Sequence, residues 1–86
     1  MRADYLIARY IEENPWHPGP ADVWLVDSAV PVWAIAGQYQ AGAGDVAQLA
    51  ADYAIPCEAI EAALAYYRLH QAVIDARIAA NSPASV

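Results

Sequence analysis

The chain has 86 residues, enough for one small domain and no second one. Apolar side chains make up 59% and charged ones 16%, which excludes a disordered chain and leaves more apolar surface than burial of roughly 60–65% can hide. Four arginines and no lysine stand against ten carboxylates, a net charge of −6, and such a field repels a phosphate backbone.

The apolar surplus implies a partner surface, most economically a second copy of the chain. Cys57 is the only cysteine, so no internal disulfide forms, as expected of a reducing compartment. The opening Met1-Arg2-Ala3-Asp4-Tyr5 lacks the charged-then-apolar layout of a signal peptide. The longest run free of charged or strongly polar residues, Ala29 to Gly37, is half a membrane span. A bacterial-type cytoplasmic protein without membrane contact is expected.

Four stretches are distinguished: an N-terminal helical unit over 1–14, a Pro-rich connector over 15–22, a helical unit over 23–81 and a tail over 82–86. In the first, Leu6, Ile7, Tyr10 and Ile11 fall at helical spacing with Asp4 as a cap, and Asn14-Pro15 stops the helix. Val23-Trp24-Leu25-Val26 is a short β-like run that either pairs with a partner chain or lies extended across the helices. Pro31 opens a helix with the stripe Val32, Ile35, Ala36 and Tyr39, and Gly42-Ala43-Gly44 ends it. Asp45, with Gln48 three residues on, caps a further helix that turns Val46, Leu49, Ala50 and Tyr53 inward.

After the turn Ala54-Ile55-Pro56, a single long helix is expected to run to about Ala80, on the order of 37 Å at 1.5 Å per residue. Ile60, Leu64, Tyr67, Gln71, Ile74 and Ile78 form a heptad seam on it, widened by Tyr66, Leu69 and Val73. Such a helix outruns a domain about 30 Å across. Its second half is therefore expected in a homodimer interface built from Tyr66, Leu69, Val73, Ile74 and Ile78.

Asp45 to Leu64 has the spacing of a helix-turn-helix, with Ala50, Ala54 and Ile60 as small, turn and buried aliphatic residues. The fold class expected is thus all-α: a small helix-turn-helix domain with an extra N-terminal helix, one short β-like segment and a long C-terminal helix. The first turns of the second helix carry Cys57, Glu58, Ala59 and Glu61, which offer carboxylates and no cation to DNA, so no DNA-binding residue is assigned. Cys57 reads as a small buried side chain. His17 and His70 lie far apart without ligand-spaced neighbours, so no metal site is assigned. Glu12-Glu13 and Glu58/Glu61 read as solvated helix termini. No phosphate-binding loop, dinucleotide glycine pattern or nucleophile elbow occurs, and neither catalytic residues nor a cofactor are expected. The aromatic set Trp16, Trp24, Trp33, Tyr39, Tyr53, Tyr66 and Tyr67 reads mostly as core.

Three stretches together, Val30-Pro-Val-Trp-Ala-Ile-Ala-Gly37, Gly44-Asp-Val-Ala-Gln-Leu-Ala-Ala-Asp-Tyr53 and Glu58-Ala-Ile-Glu-Ala-Ala-Leu-Ala-Tyr-Tyr67, resemble domain-of-unknown-function family 433. The Ala-Leu-Ala-Tyr-Tyr ending is the most specific part. The resemblance implies a trihelical, homeodomain-like domain. It also implies kinship with VapB-type antitoxins encoded beside PIN-like ribonuclease toxins, which they bind and silence. Many members carry Gly-Thr-Arg where this chain has Asp27-Ser28-Ala29, and basic residues after the paired tyrosines where it has only Arg68 and His70. Both departures remove positive charge. The function expected is a non-enzymatic, antitoxin-like interaction module, with Tyr5, Tyr10 and Trp16 as partner-binding candidates; Trp16 could instead fold back over the core. The alternative is a DNA-binding autorepressor of its own operon that needs its protein partner to bind.

Overall fold

A computed structural model describes residues 2–43 and 45–81; Met1, Gly44 and the expected tail at 82–86 lie outside the described residues. The chain runs α1 (Arg2–Tyr10), β1 (Ile11–Glu12), a 3-10 turn (Pro20–Asp22), β2 (Trp24–Leu25), α2 (Val32–Gln38), a π-type turn (Tyr39–Ala43), α3 (Val46–Tyr53), α4 (Cys57–Leu69) and α5 (Gln71–Ala80). The protein is mostly helical, with one two-stranded sheet.

The helix boundaries follow from local chemistry. Asp45 accepts hydrogen bonds from the backbone N–H groups of Ala47 (3.0 Å) and Gln48 (3.3 Å), a side-chain cap for α3. The Gln48 side chain donates to Asp52 at 2.9 Å instead of returning to the cap, so only half of the expected capping box forms. α2 and α4 have prolines at the cap position, where a missing N–H costs nothing. The carbonyl of Pro31 receives Ala34 and Ile35, and that of Pro56 receives Ala59 and Ile60. α3 ends on Ala54 in the left-handed conformation (φ 57°), and the Ile55 N–H reaches back to the Ala50 carbonyl.

The β-like run does not wait for a partner chain. It pairs antiparallel with Ile11–Glu12 of its own chain, in the register Ile11↔Leu25 and Glu12↔Trp24, and the Trp24 indole N–H donates to Glu12 at 2.8 Å. The expectation that Ile11 extends the first helix is corrected: the helix stops at Tyr10. Asp4 sits within its first turn and is not its cap. The turn after β2 holds Asp27 (φ 69°) and Ala29 (φ 57°) in the left-handed region, which favours glycine. Asp tolerates it through its short polar side chain; Ala29 carries the strain.

α4 is the centre of the fold. It packs against α1, α2 and α3 together, and buries Ala59, Ile60, Ala62, Ala63, Leu64 and Ala65. Alanines let the neighbouring helices come close, while Ile60 and Leu64 interlock with Ile35, Val32 and Leu49 in one apolar cluster.

The single long helix is corrected. It breaks at His70 (φ −127°, ψ 37°), and α5 turns back onto α2 and the Pro20–Asp22 turn. No proline or glycine causes the break. What holds it is burial and a polar clamp. Ile74 enters the core with no exposed surface, and Ile78 covers Gly37 of α2 at 3.8 Å from the position a Cβ would take there. Across the elbow, the Tyr67 hydroxyl donates to Asp75 at 2.7 Å, and Gln40 donates to both groups. Arg77 donates to Asp22 at 2.8 Å and lies 5.1 Å over the Trp33 ring, tying α5 to the 3-10 turn. The radius of gyration, 12.1 Å, is that of a compact chain of this length.

The core placement predicts that Ile74→Ala destabilises the protomer by about 2–5 kcal/mol in urea unfolding, while Val73→Ala costs under about 1 kcal/mol. A second prediction concerns the clamp. The hydrogen bond to Asp75, then burial, holds the Tyr67 phenol above its ordinary value; burial does the same to Tyr53 and Tyr66. A group raised on folding contributes stability that is complete below its unfolded pKa and lost as pH rises through the folded one. The urea midpoint should therefore hold steady between neutral pH and about 9, then fall above about 10. Tyr67→Phe should reduce the alkaline part of that fall.

Candidate functional site

With one exception the exposed surface, not a cavity, carries the residues of interest. Among the described residues four large apolar side chains face solvent: Trp16 (79% exposed), Leu69 (65%), Tyr5 (59%) and Val73 (40%). Large exposed apolar groups on a small protein mark interaction surfaces when they are held in place.

Trp16 is held. Asn14 Oδ1 accepts from the Trp16 backbone N–H at 2.8 Å and from that of His17 at 3.3 Å, an Asx-type turn that the Asn-Pro dipeptide encodes. Glu13 accepts from the Gly19 N–H at 3.2 Å and closes the loop. Pro15, Pro18 and Pro20 fix φ along it. The alternative in which Trp16 folds back over the core is not what the chain adopts, and the expectation of a mostly core aromatic set fails at this residue. Tyr5 stands on the outer face of α1, whereas Tyr10 is half-buried and donates its hydroxyl to Glu58 at 3.1 Å. The three partner candidates are thus two exposed residues and one that braces α1 on α4.

The five interface candidates divide more sharply. Ile74 lies in the protomer's own core, so it offers nothing to a second chain. Tyr66 and Ile78 are half-buried against that core. Tyr66 also stacks on His70, with ring centroids 4.4 Å apart. Only Leu69 and Val73, one on each side of the His70 break, present a free apolar surface. The seam drawn along one straight helix is corrected for this reason: the break rotates its second half inward.

The electrostatics remain acidic. Arg2 donates to Glu61 at 2.7 Å and sits 4.0 Å from Glu58; the Glu61 hydrogen bond holds its guanidinium pKa above the ordinary value. Arg77 is taken by Asp22, and Arg9 lies 5.2 Å over the Tyr10 ring. Arg68 makes no ion pair among the described residues. The outer turns of α4 show Cys57, Glu58 and Glu61. Cys57 is exposed at the first position of α4, contrary to the buried role expected from its type. α1 packs on α4, where Tyr10 and Arg2 engage the Glu58 and Glu61 side chains of its first turns. Among the described residues no three His, Cys, Asp or Glu side chains gather closely enough to hold a metal ion, and no helix is long and apolar enough to cross a membrane.

Compared with known proteins, the chain matches no curated protein and no solved structure. Residues 23–67, from the residue before β2 to the paired tyrosines of α4, match the family described as "Protein of unknown function (DUF433)". α1, β1 and α5 lie outside the matched segment. Because that segment spans just over half of the sequence, from the strand through the central helix, the chain belongs to the DUF433 family.

Proposed function

We propose that this chain is a non-enzymatic protein-interaction module of the antitoxin type, which as a homodimer binds and silences a PIN-like ribonuclease in the cytoplasm. α2, α3 and α4 are read as its homeodomain-like, helix-turn-helix unit. The observation that carries the reading is Trp16: 79% exposed, on a loop fixed by two side-chain caps and three prolines. A tryptophan whose backbone is already fixed loses only side-chain freedom on docking and can supply a large share of an interface's affinity.

The charge balance supports the same reading. A PIN-like nuclease gathers carboxylates around a divalent metal and presents basic residues to RNA. A lysine-free chain of net charge −6 is suited to cover that basic rim, and its field would speed encounter more than it would strengthen the complex. Leu69 and Val73, with the edge of Tyr66, are the surface left for a second copy. The rival reading, a DNA-binding autorepressor, would bring Glu58 and Glu61 of α4 against the phosphates, which repel carboxylates.

Co-expression with a PIN-like ribonuclease encoded beside this chain tests the proposal. The intact protein should be pulled down with it and rescue its toxicity. Trp16→Ala should weaken binding by about 2 kcal/mol, roughly thirtyfold, with an unchanged melting temperature. Leu69→Asp should shift sedimentation from dimer to monomer without unfolding the protomer. Absence of binding and rescue by the intact chain overturns the antitoxin reading; a monomeric intact chain at micromolar concentration overturns the homodimer.

A further inference from the structure

The cleft between α1 and α4, closed at one end by the approach to α3, has a volume of about 370 Å³, within the range of small-molecule sites. Its floor is apolar and buried: Leu6 from α1 with Leu64 and Ala65 from α4. Val46 and Tyr39, both half-buried, form one wall. The charged groups stand at the rim, where Arg2 and Arg68 against Glu61 leave a local charge of +1 in a chain of −6. These two arginines are not equivalent. Arg2 is engaged by Glu61 at 2.7 Å, which also removes Glu61 as a site for a ligand cation. Arg68 has no carboxylate partner among the described residues.

We propose that this cleft binds a small monocarboxylate with an apolar body, its carboxylate on Arg68 and its hydrocarbon over Leu6, Leu64 and Val46. The chemistry decides the class. A planar guanidinium matches a carboxylate with two parallel hydrogen bonds. One free guanidinium suits a single negative charge; a phosphate dianion would need a second free cation, and the other arginine of the lining, Arg2, is engaged by Glu61. A neutral ligand of the same shape would cover Arg68 without replacing its water, and a cation would be repelled. The inference is independent of the antitoxin reading. A bound molecule would touch α1 and α4 at once, so binding would also fasten the N-terminal helix to the family core.

The test uses the full chain, isotope-labelled, titrated with three probes of equal length: octanoate, octan-1-ol and octylammonium. Octanoate should move the amide resonances of Leu6, Val46 and Leu64 at millimolar concentration and raise the melting temperature. Octan-1-ol should bind more weakly and octylammonium weakest. Arg68→Gln, an exposed substitution whose folding is checked by its melt, should weaken octanoate about tenfold and leave octan-1-ol unchanged. Arg68→Lys should fall between the two. Equal binding of octanoate and octylammonium, octanoate affinity untouched by Arg68→Gln, or absence of shifts at those three amides would each overturn the proposal.

Discussion

The break at His70 is the constraint on which the rest of this structure depends. A straight helix from Cys57 to Ala80 would have left Ile74 and Ile78 beyond the reach of any other element of an 86-residue chain. Bending there brings Ile74 into the core and lays Ile78 on Gly37, removing two large aliphatic side chains from water for the loss of about one turn of regular hydrogen bonding. Tyr67, Asp75 and Gln40 then satisfy one another across the elbow, and Arg77 joins Asp22 and Trp33 on the far side. Each of these groups would be solvated and unpaired if the helix continued.

The fold that results has a central helix and a cover. α4 belongs to the family segment and receives α2 and α3 from within it; α1, β1 and α5 come from outside and close what remains open. α1 contributes one buried residue, Leu6, and is otherwise fastened by exposed contacts of Arg2 and Tyr10 with Glu58 and Glu61. Exposed ion pairs are weakly stabilising. The cleft lies between α1 and this central helix. Among the described residues, the large apolar side chains left to solvent lie on the loop around Trp16, on α1 at Tyr5 and at the outer corner of Leu69 and Val73.

Much of the core was legible because it is written in local period and caps. The stripes Val32–Ile35–Ala36 and Leu49–Ala50 are buried as their spacing requires, and Asp45 caps where a side-chain acceptor was expected. The elbow was not legible, because the heptad spacing of Ile60, Leu64, Tyr67, Gln71, Ile74 and Ile78 describes one straight face and no residue at position 70 breaks a helix by propensity. Nor was the pairing of Ile11–Glu12 with Trp24–Leu25, since a two-residue strand leaves no alternation to read. On the surface, Asn14-Pro15 reads only as a helix stop, and the Asx-type turn around Trp16 was not legible because it depends on where the Asn14 side chain points. The left-handed conformations of Asp27 and Ala29 were not legible either, since neither position carries the glycine that would signal them. The cleft was invisible because Leu6, Tyr39, Glu61 and Arg68 come from separate parts of the sequence and share no motif.

Amide hydrogen exchange across the elbow tests the central claim most directly. If α5 is folded into the protomer's core, the amides of Ile74, Arg77 and Ile78 exchange only through the same global opening that releases Ile60 and Leu64, with closely similar opening free energies in the native state. If those amides instead exchange near the rates of an unstructured chain while Ile60 and Leu64 stay protected, α5 is a projecting segment, and the elbow at His70 does not hold the fold together.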